Sequence, residues 1–282
     1  VTEIVKRQKP KLLLINASAF SYCNSNLTDE VYLRKWIDNM PMSQNKLDTV
    51  KTIPKNINKD DEKVKDNISD TLYFPLEKYH GNWKDPEAVY TSFVTRAYMR
   101  LSGGGYLKGF YSKTGITGGR DNLANIGQPT KEAYVLTDEC RAYLKELLSY
   151  CNKLGIEHVL LLQPPHETQA ADKSGLEQLE SITKAYGYDF LDLSTDYESI
   201  AGIDDSHDFA DFEHLNAYGA QKLSSYIGDM AVNQYGIKSD TAKSELSRWK
   251  KSVKRTKKAL KMAREYTDRG EAQVVGEYEA AK

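Results

Sequence analysis

The chain has 282 residues and a formal net charge of −1, and hydrophobic residues make up 40% of it. This length and composition suit one large globular domain or two small ones. The near-neutral charge argues against a dedicated nucleic-acid binder. No apolar run approaches the roughly 18 residues of a membrane span, and no signal peptide is visible.

Short apolar runs alternate with helical patterns along the chain. The first run covers 12–15, the second (157–162) follows a helix predicted over 137–154, and the third (188–193) follows a helix predicted over 176–186. Strands separated by helices form parallel sheets that are covered on both faces. We therefore predict an α/β fold, a three-layer α/β/α sandwich with a mostly parallel sheet.

Ligands of such sheets bind at the carboxyl ends of the strands. Four predicted loops meet at this edge, over residues 16–26, 163–167, 194–197 and 204–214. His166 follows the second strand almost directly and could line a site there. A lone histidine after two prolines is also compatible with a solvated loop.

The middle of the chain, about 39–130, breaks the alternation and is predicted to be an irregular cap. It contains an aromatic cluster over 72–83 that includes Tyr79, His80 and Trp83. Pockets and cores both favour aromatic residues, so the cluster suits either cap packing or site lining. The glycine-rich segments 102–105 and 115–119 lack phosphate-loop spacing and are predicted to be turns of a small hairpin.

Cysteine and histidine spacing gives no metal or disulfide signature. Cys23, Cys140 and Cys151 form no C-x-x-C pair, and we expect reduced thiols or small buried hydrophobes. The five histidines show neither H-x-H nor H-E-x-x-H spacing. We therefore expect no metal site and no cofactor.

Asp211 and His214 stand three residues apart, just before a run with helical spacing that continues through Ile227. A carboxylate that holds an imidazole in one tautomer makes its free nitrogen a general base for a hydroxyl nucleophile. The alternative is that Asp211 or Asn216 caps the helix and that His214 is a surface residue.

The block Asp211-Phe-Glu-His-Leu-Asn-Ala-Tyr-Gly219 resembles the D-x-x-H-L-N-x-x-G block of SGNH (GDSL-type) hydrolases. Within that superfamily, the chain looks most like a Gram-positive cell-surface branch related to the D-alanine-transfer protein of teichoic acid synthesis and to alginate-type O-acetyltransferases. The resemblance covers roughly residues 1–236. The segment Tyr-His-x-x-Trp at 79–83 is also similar to one in the cell-surface relatives.

This resemblance implies an esterase or O-acyltransferase of the bacterial cell surface that acts on acylated glycans or glycopolymers. His214 would be the base of a Ser-His-Asp triad, and Asp211 would orient it. The candidates for substrate contact are His166, Tyr79, His80, Trp83 and Asn216.

The serine of the triad is not evident from sequence motifs. No G-D-S, G-S-S or G-x-S-x-G occurs, and the chain is expected to begin after the family's first strand, with little esterase activity of its own. Ser18, which follows the 12–15 run, is the weak candidate within the chain. The competing hypothesis is a non-catalytic module that binds surface polymers.

Residues 237–282 differ in character from the domain predicted over 1–236. Residues 238–264 carry eleven Lys or Arg and two acids, and Leu246, Trp249, Val253 and Leu260 recur at helical spacing. Such a basic helix can bind an anionic polymer or a membrane surface, or it can pack its apolar stripe on the domain. The tail, 265–282, shows no strong period and is expected to fray.

Overall fold

The computed structural model describes residues 1–6, 9–21, 37–38, 40–56, 72–73, 84–101, 107, 110–119, 136–165, 173–238 and 243–276. The helices are α1 (Thr2–Val5), α2 (Ser18–Ser21), α3 (Gln44–Asn56), α4 (Pro86–Leu101), α5 (Asp138–Lys153), α6 (Ser174–Ala185), α7 (Tyr197–Ala201), α8 (Ala217–Asn233) and α9 (Lys243–Asp268). The strands are β1 (Leu12–Asn16), β2 (Ser112–Lys113), β3 (His158–Gln163), β4 (Asp189–Asp192), β5 (Phe209–Asp211), β6 (His214–Leu215) and β7 (Val274–Val275).

The three predicted apolar runs form one parallel sheet in the order β1-β3-β4. Leu12 of β1 aligns with His158 of β3, and Leu160 of β3 aligns with Asp189 of β4. The central strand β3 is buried from Val159 onward, as expected for a strand covered on both faces. The predicted α/β class and its parallel sheet are confirmed.

The helices beside the sheet begin and end where the sequence predicts. The Thr137 side chain accepts a hydrogen bond from the Cys140 backbone N–H, which caps the start of α5. Gly155 has a φ of +66° just after the end of α5, a conformation that favours glycine. The capped helix then presents one apolar stripe to the core, made of Cys140, Leu144, Leu148 and Cys151.

Neighbouring residues of β3 enter two different apolar clusters. Leu161 packs with α5 and α6, together with Leu144 and Leu179. Leu162 packs instead with Leu193 after β4 and with Phe209 of β5, against side chains of α8. Because side chains alternate between the faces of a strand, these two clusters lie on opposite sides of β3.

The cysteines differ from the expectation of reduced thiols. Cys140 is disulfide-bonded, so the expectation is wrong for this residue. Cys151 is free and fully buried, and burial raises the pKa of its thiol. Motif spacing missed the bond because a disulfide requires only that two thiols meet in space.

Residues 112–113 pair antiparallel with 274–275, near the other end of the chain. The predicted turn at 102–105 lies outside the described residues, so the small hairpin stays a prediction. The Thr114 N–H also donates to the Gln273 carbonyl at 2.9 Å. The stretch from 265 to 276 is consequently held against the domain, whereas the sequence predicted fraying.

No helix in the described part of the chain is both long and apolar enough to cross a membrane.

Candidate catalytic site

The short hairpin of β5 and β6 carries the predicted Asp-His pair. Phe209 at its base is fully buried and packs with Leu162 and Leu193, which lie at the carboxyl ends of β3 and β4. This anchoring holds the hairpin at the edge of the sheet where ligands of parallel α/β folds bind. Asp211 and His214 are directly paired across the hairpin.

The predicted hydrogen bond between Asp211 and His214 is present. Asp211 Oδ1 lies 2.7 Å from His214 Nδ1, and the same oxygen accepts the Glu213 backbone N–H at 3.0 Å. The carboxylate can only accept, so the geometry assigns the proton to Nδ1. Nε2 then keeps its lone pair, and no described residue bonds to it. The arrangement therefore supplies an oriented base.

Lys113 of β2 contacts both members of the Asp-His pair, which the sequence did not predict. Its Nζ lies 2.9 Å from Asp211 Oδ2 and 3.1 Å from His214 Nδ1. Because Nδ1 donates to Asp211, the bonding contact of the ammonium is the ion pair with the carboxylate. Lys113 thus restrains the second oxygen of Asp211. No local signal marks this lysine, since it reaches the hairpin only through the packing of β2.

Contacts to Asp211 lower its pKa. Burial by itself raises the pKa of this carboxyl group, but hydrogen bonds from Lys113, His214 and the Glu213 backbone outweigh burial and hold the pKa below its usual value. The carboxylate therefore stays ionised at neutral pH and can stabilise a positive charge on the imidazole.

Replacing Lys113 with Met is expected to raise the pKa of Asp211, because the variant loses a cation at 2.9 Å from the carboxylate. A carboxyl group with a lowered folded pKa contributes stability above its unfolded pKa, and this contribution is lost as the pH falls through the folded pKa. In the variant that contribution should be smaller, and its loss should be complete at a higher pH. Carboxyl-carbon NMR titration measures the pKa directly, with Lys113→Arg as the control that keeps the positive charge. An unchanged pKa in Lys113→Met would contradict the ion pair.

Asn216 is the N-cap of α8, which confirms the alternative that this residue caps the helix. Its Oδ1 accepts the backbone N–H groups of Tyr218 and Gly219 at the start of α8. Its Nδ2 donates to the Gly115 carbonyl at 3.1 Å and the His207 carbonyl at 2.6 Å. The residue is fully buried and all its polar groups are used internally, so the expected contact with substrate does not fit this geometry.

Asp208 is a buried carboxylate that the sequence did not single out. Its Oδ2 accepts from Lys222 Nζ at 2.6 Å and from the Asp204 N–H at 2.8 Å, and its Oδ1 lies 3.0 Å from His207 Nδ1. A fully buried carboxylate requires such partners. These contacts fasten the loop before the hairpin to α8. The acid-rich stretch 204–208 was the available signal, but it did not distinguish Asp208 from its neighbours.

Ser18 is the first residue of α2 and follows β1 after a one-residue turn. Its N–H donates to Asn16 Oδ1 at 2.9 Å, and its Oγ accepts from Gln163 Nε2 at 3.3 Å. Gln163 is the last residue of β3, so the hydroxyl lies at the carboxyl edge of the sheet.

Two buried polar atoms at this edge have no hydrogen-bond partner among the described residues. They are Oε1 of Gln163 and Oγ of Ser194, which lies just beyond β4. Buried polar atoms are nearly always paired, so unpaired ones mark a position where a further polar group fits. The edge that carries Ser18 therefore retains hydrogen-bonding capacity.

Four of the predicted substrate contacts, Tyr79, His80, Trp83 and His166, lie outside the described residues. Their expected role stays a prediction.

Comparisons with protein-family models, with curated proteins and with solved structures find no significant match to this chain. The described residues form a mixed α/β protein with a three-stranded parallel sheet. Beside the sheet, a hairpin carries an Asp-His pair that Lys113 of β2 contacts.

Proposed function

We propose that this chain is an SGNH-like esterase or O-acyltransferase domain that acts on acylated cell-surface glycans or glycopolymers. The observation that carries the proposal is the 2.7 Å contact between Asp211 Oδ1 and His214 Nδ1. The imidazole is also 40% exposed, so a reacting hydroxyl can reach Nε2. An oriented, accessible base of this kind is the central requirement of serine acyl transfer.

Ser18 is the proposed nucleophile. It occupies a strand-turn-helix junction, the arrangement that exposes the nucleophile in other α/β hydrolases. The Gln163 amide fixes the position of its hydroxyl, and both Ser18 and the hairpin lie toward the carboxyl edge of the sheet. Absence of a glycine-serine motif made Ser18 a weak candidate and led to the expectation of little esterase activity. With Ser18 as the nucleophile, we expect instead that the chain itself hydrolyses a generic acetyl ester.

In the proposed reaction, His214 Nε2 takes the proton of the Ser18 hydroxyl while Oγ attacks the acyl carbonyl carbon. The bond from that carbon to the sugar oxygen breaks, and the imidazolium returns the proton to the leaving oxygen. Asp211 stabilises the imidazolium, and Lys113 holds Asp211. Water or a second sugar hydroxyl, deprotonated by His214, then attacks the acyl carbon. The bond from that carbon to Ser18 Oγ breaks, and the imidazolium returns the proton to Oγ. The first acceptor makes an esterase and the second makes a transferase.

We also infer a three-layer arrangement for the domain. Leu161 packs with α5 and α6, and Leu162 packs in the cluster that contains Leu223 and Ile227 of α8. Helical side chains against both faces of β3 support helical layers on both sides of the sheet.

An extracytoplasmic location is part of the proposal. The resemblance to cell-surface proteins suggests it, and the disulfide-bonded Cys140 supports it independently. Structural disulfides persist in oxidising compartments and are rare in the reducing cytosol.

Labelling with a fluorophosphonate followed by peptide mapping tests the nucleophile. We expect the probe to modify Ser18 and to fail on His214→Gln, because phosphonylation needs the activated serine oxygen. His158→Gln is the matched control, since this histidine begins β3 at the opposite edge of the sheet. Modification of a different serine, dependent on His214, would overturn the Ser18 assignment. No modified serine at all would favour the non-catalytic polymer-binding module.

A further inference from the structure

The C-terminal helix α9 is divided into a packed half and an exposed half. Toward its end, Ala259, Ala263 and Thr267 are buried, and the first two share an apolar cluster with Ala217 of α8 and Val275 of β7. From Lys243 to Lys251, by contrast, every residue with a described side chain is exposed. Only the carboxyl-terminal part of the helix therefore packs closely against the rest of the structure.

An exposed apolar stripe made of Leu246, Trp249 and Val253 begins in this part of α9 and continues past the buried Ser252. Their exposed fractions are 43%, 46% and 50%. At about 100° per residue these positions fall within about 60° of one another around the helix axis. Large apolar side chains grouped on one exposed face mark an interaction surface, whereas scattered ones do not.

A lysine stripe runs directly beside the apolar stripe. On the same helical geometry its members occupy the neighbouring sector of about 60°. They are Lys243, Lys250, Lys254, Lys257 and Lys261, and all are exposed. Lys261 contacts Glu265 at 3.8 Å, while no described carboxylate pairs with the other four. The positive charge is therefore largely uncompensated where it borders the apolar stripe.

We propose that the face of α9 formed by the apolar stripe and the lysine stripe docks on the surface of a lipid bilayer that contains anionic headgroups. The helix would lie in the plane of the interface, with Leu246, Trp249 and Val253 at the acyl boundary and the lysine stripe at the phosphates. This proposal concerns association of the protein with a membrane surface, and it does not depend on the proposed acyl-transfer chemistry.

A bilayer satisfies both stripes at once. It offers apolar depth for Leu246, Trp249 and Val253 and negative charge for the lysines, side by side, and tryptophan favours this interface. A soluble polyanion would neutralise the lysines but would leave the apolar stripe in water. The charge complementarity and the adjoining apolar surface together favour the bilayer.

Co-sedimentation of the full chain with phosphatidylcholine vesicles, with and without phosphatidylglycerol, tests the proposal. We expect binding to the anionic vesicles that weakens with added salt, because exposed charges are screened over about 8 Å at physiological ionic strength. The triple change Lys250/Lys254/Lys257→Gln should weaken binding on the order of 100-fold, since each lysine near an anionic surface contributes about fivefold. The change Leu246/Trp249/Val253→Ala should weaken it about tenfold or more.

A matched control removes the same charge from another face of α9. Arg248, Lys251 and Lys258 are exposed and lie outside the lysine stripe, so their triple change to Gln should weaken binding only a few-fold. Circular dichroism of each variant verifies that the helix remains folded.

Equal loss in the two charge variants would overturn the docked orientation, and absence of vesicle binding would overturn the proposal. Retention on inorganic polyphosphate that the apolar variant leaves unchanged, without vesicle binding, would identify a polymer surface instead. All these outcomes are measured as binding and not as ester turnover. Failure of the bilayer proposal can therefore be distinguished from failure of the proposed acyl transfer.

Discussion

Replacing His214 with Gln is expected to lower kcat/KM for a generic acetyl ester by about 10³ to 10⁴-fold. Glutamine can still bond to Asp211, but it cannot take a proton from Ser18 or return one to the leaving oxygen. The free energy of unfolding should change little, because the His214 side chain is 40% exposed and belongs to no apolar cluster. Initial rates and urea unfolding of the same preparations separate the two effects.

Asp211→Asn refines the same prediction. An amide that donates to Nδ1 stabilises the wrong tautomer of His214, so the loss should again approach 10⁴-fold although the hydrogen bond is kept. His158→Gln serves as the control for His214→Gln, because it replaces a histidine with glutamine at the amino end of β3, away from the hairpin. Wild-type rates in both dyad variants would show that the pair is a surface feature of the hairpin and would remove the proposed mechanism.

Replacing Gly219 with Ala is expected to destabilise the fold by about 1–3 kcal/mol, opposite to the usual effect of this substitution within a helix. A Cβ at this position would lie 2.5 Å from the Asp208 carbonyl oxygen and 2.9 Å from Leu215 Cδ2. The carbonyl belongs to the backbone and accepts the Asn216 N–H at 2.9 Å, so it cannot yield without loss of that bond. The hairpin would have to move away from α8.

Gly228 provides a matched control in the same helix. A Cβ there meets nothing within 4 Å, so Gly228→Ala should stabilise the protein by up to about 1 kcal/mol. If the loop before β5 packs against α8 as described, urea denaturation should show a lower free energy of unfolding for Gly219→Ala and a higher one for Gly228→Ala. Equal stabilisation by both substitutions would mean that this close approach does not exist. Because the hairpin carries Asp211 and His214, Gly219→Ala should also reduce ester turnover.

Local features of the chain were predictable because their causes are local. Apolar runs and helical periodicity identified β1, β3, β4 and α5 to within about two residues, since both reflect how neighbouring positions are buried. The hydrogen bond between Asp211 and His214 was predictable for the same reason. They lie three positions apart, and a tight hairpin brings such positions together.

The tertiary structure decided which distant residues join this pair. Lys113 reaches Asp211 from β2, and β2 is held in turn by β7 near the end of the chain. Gln163 meets Ser18 only because β1 and β3 are neighbours in the sheet, so motif spacing could not show how Ser18 is placed. The sequence by itself determined the three strands of the parallel sheet, the helices α5 and α6 and the Asp-His pair. The tertiary structure decided the contact of Lys113 with Asp211, the contact of Ser18 with Gln163 and the packing of the C-terminal segment. Such contacts depend on which elements pack together and not on the spacing of residues within one element.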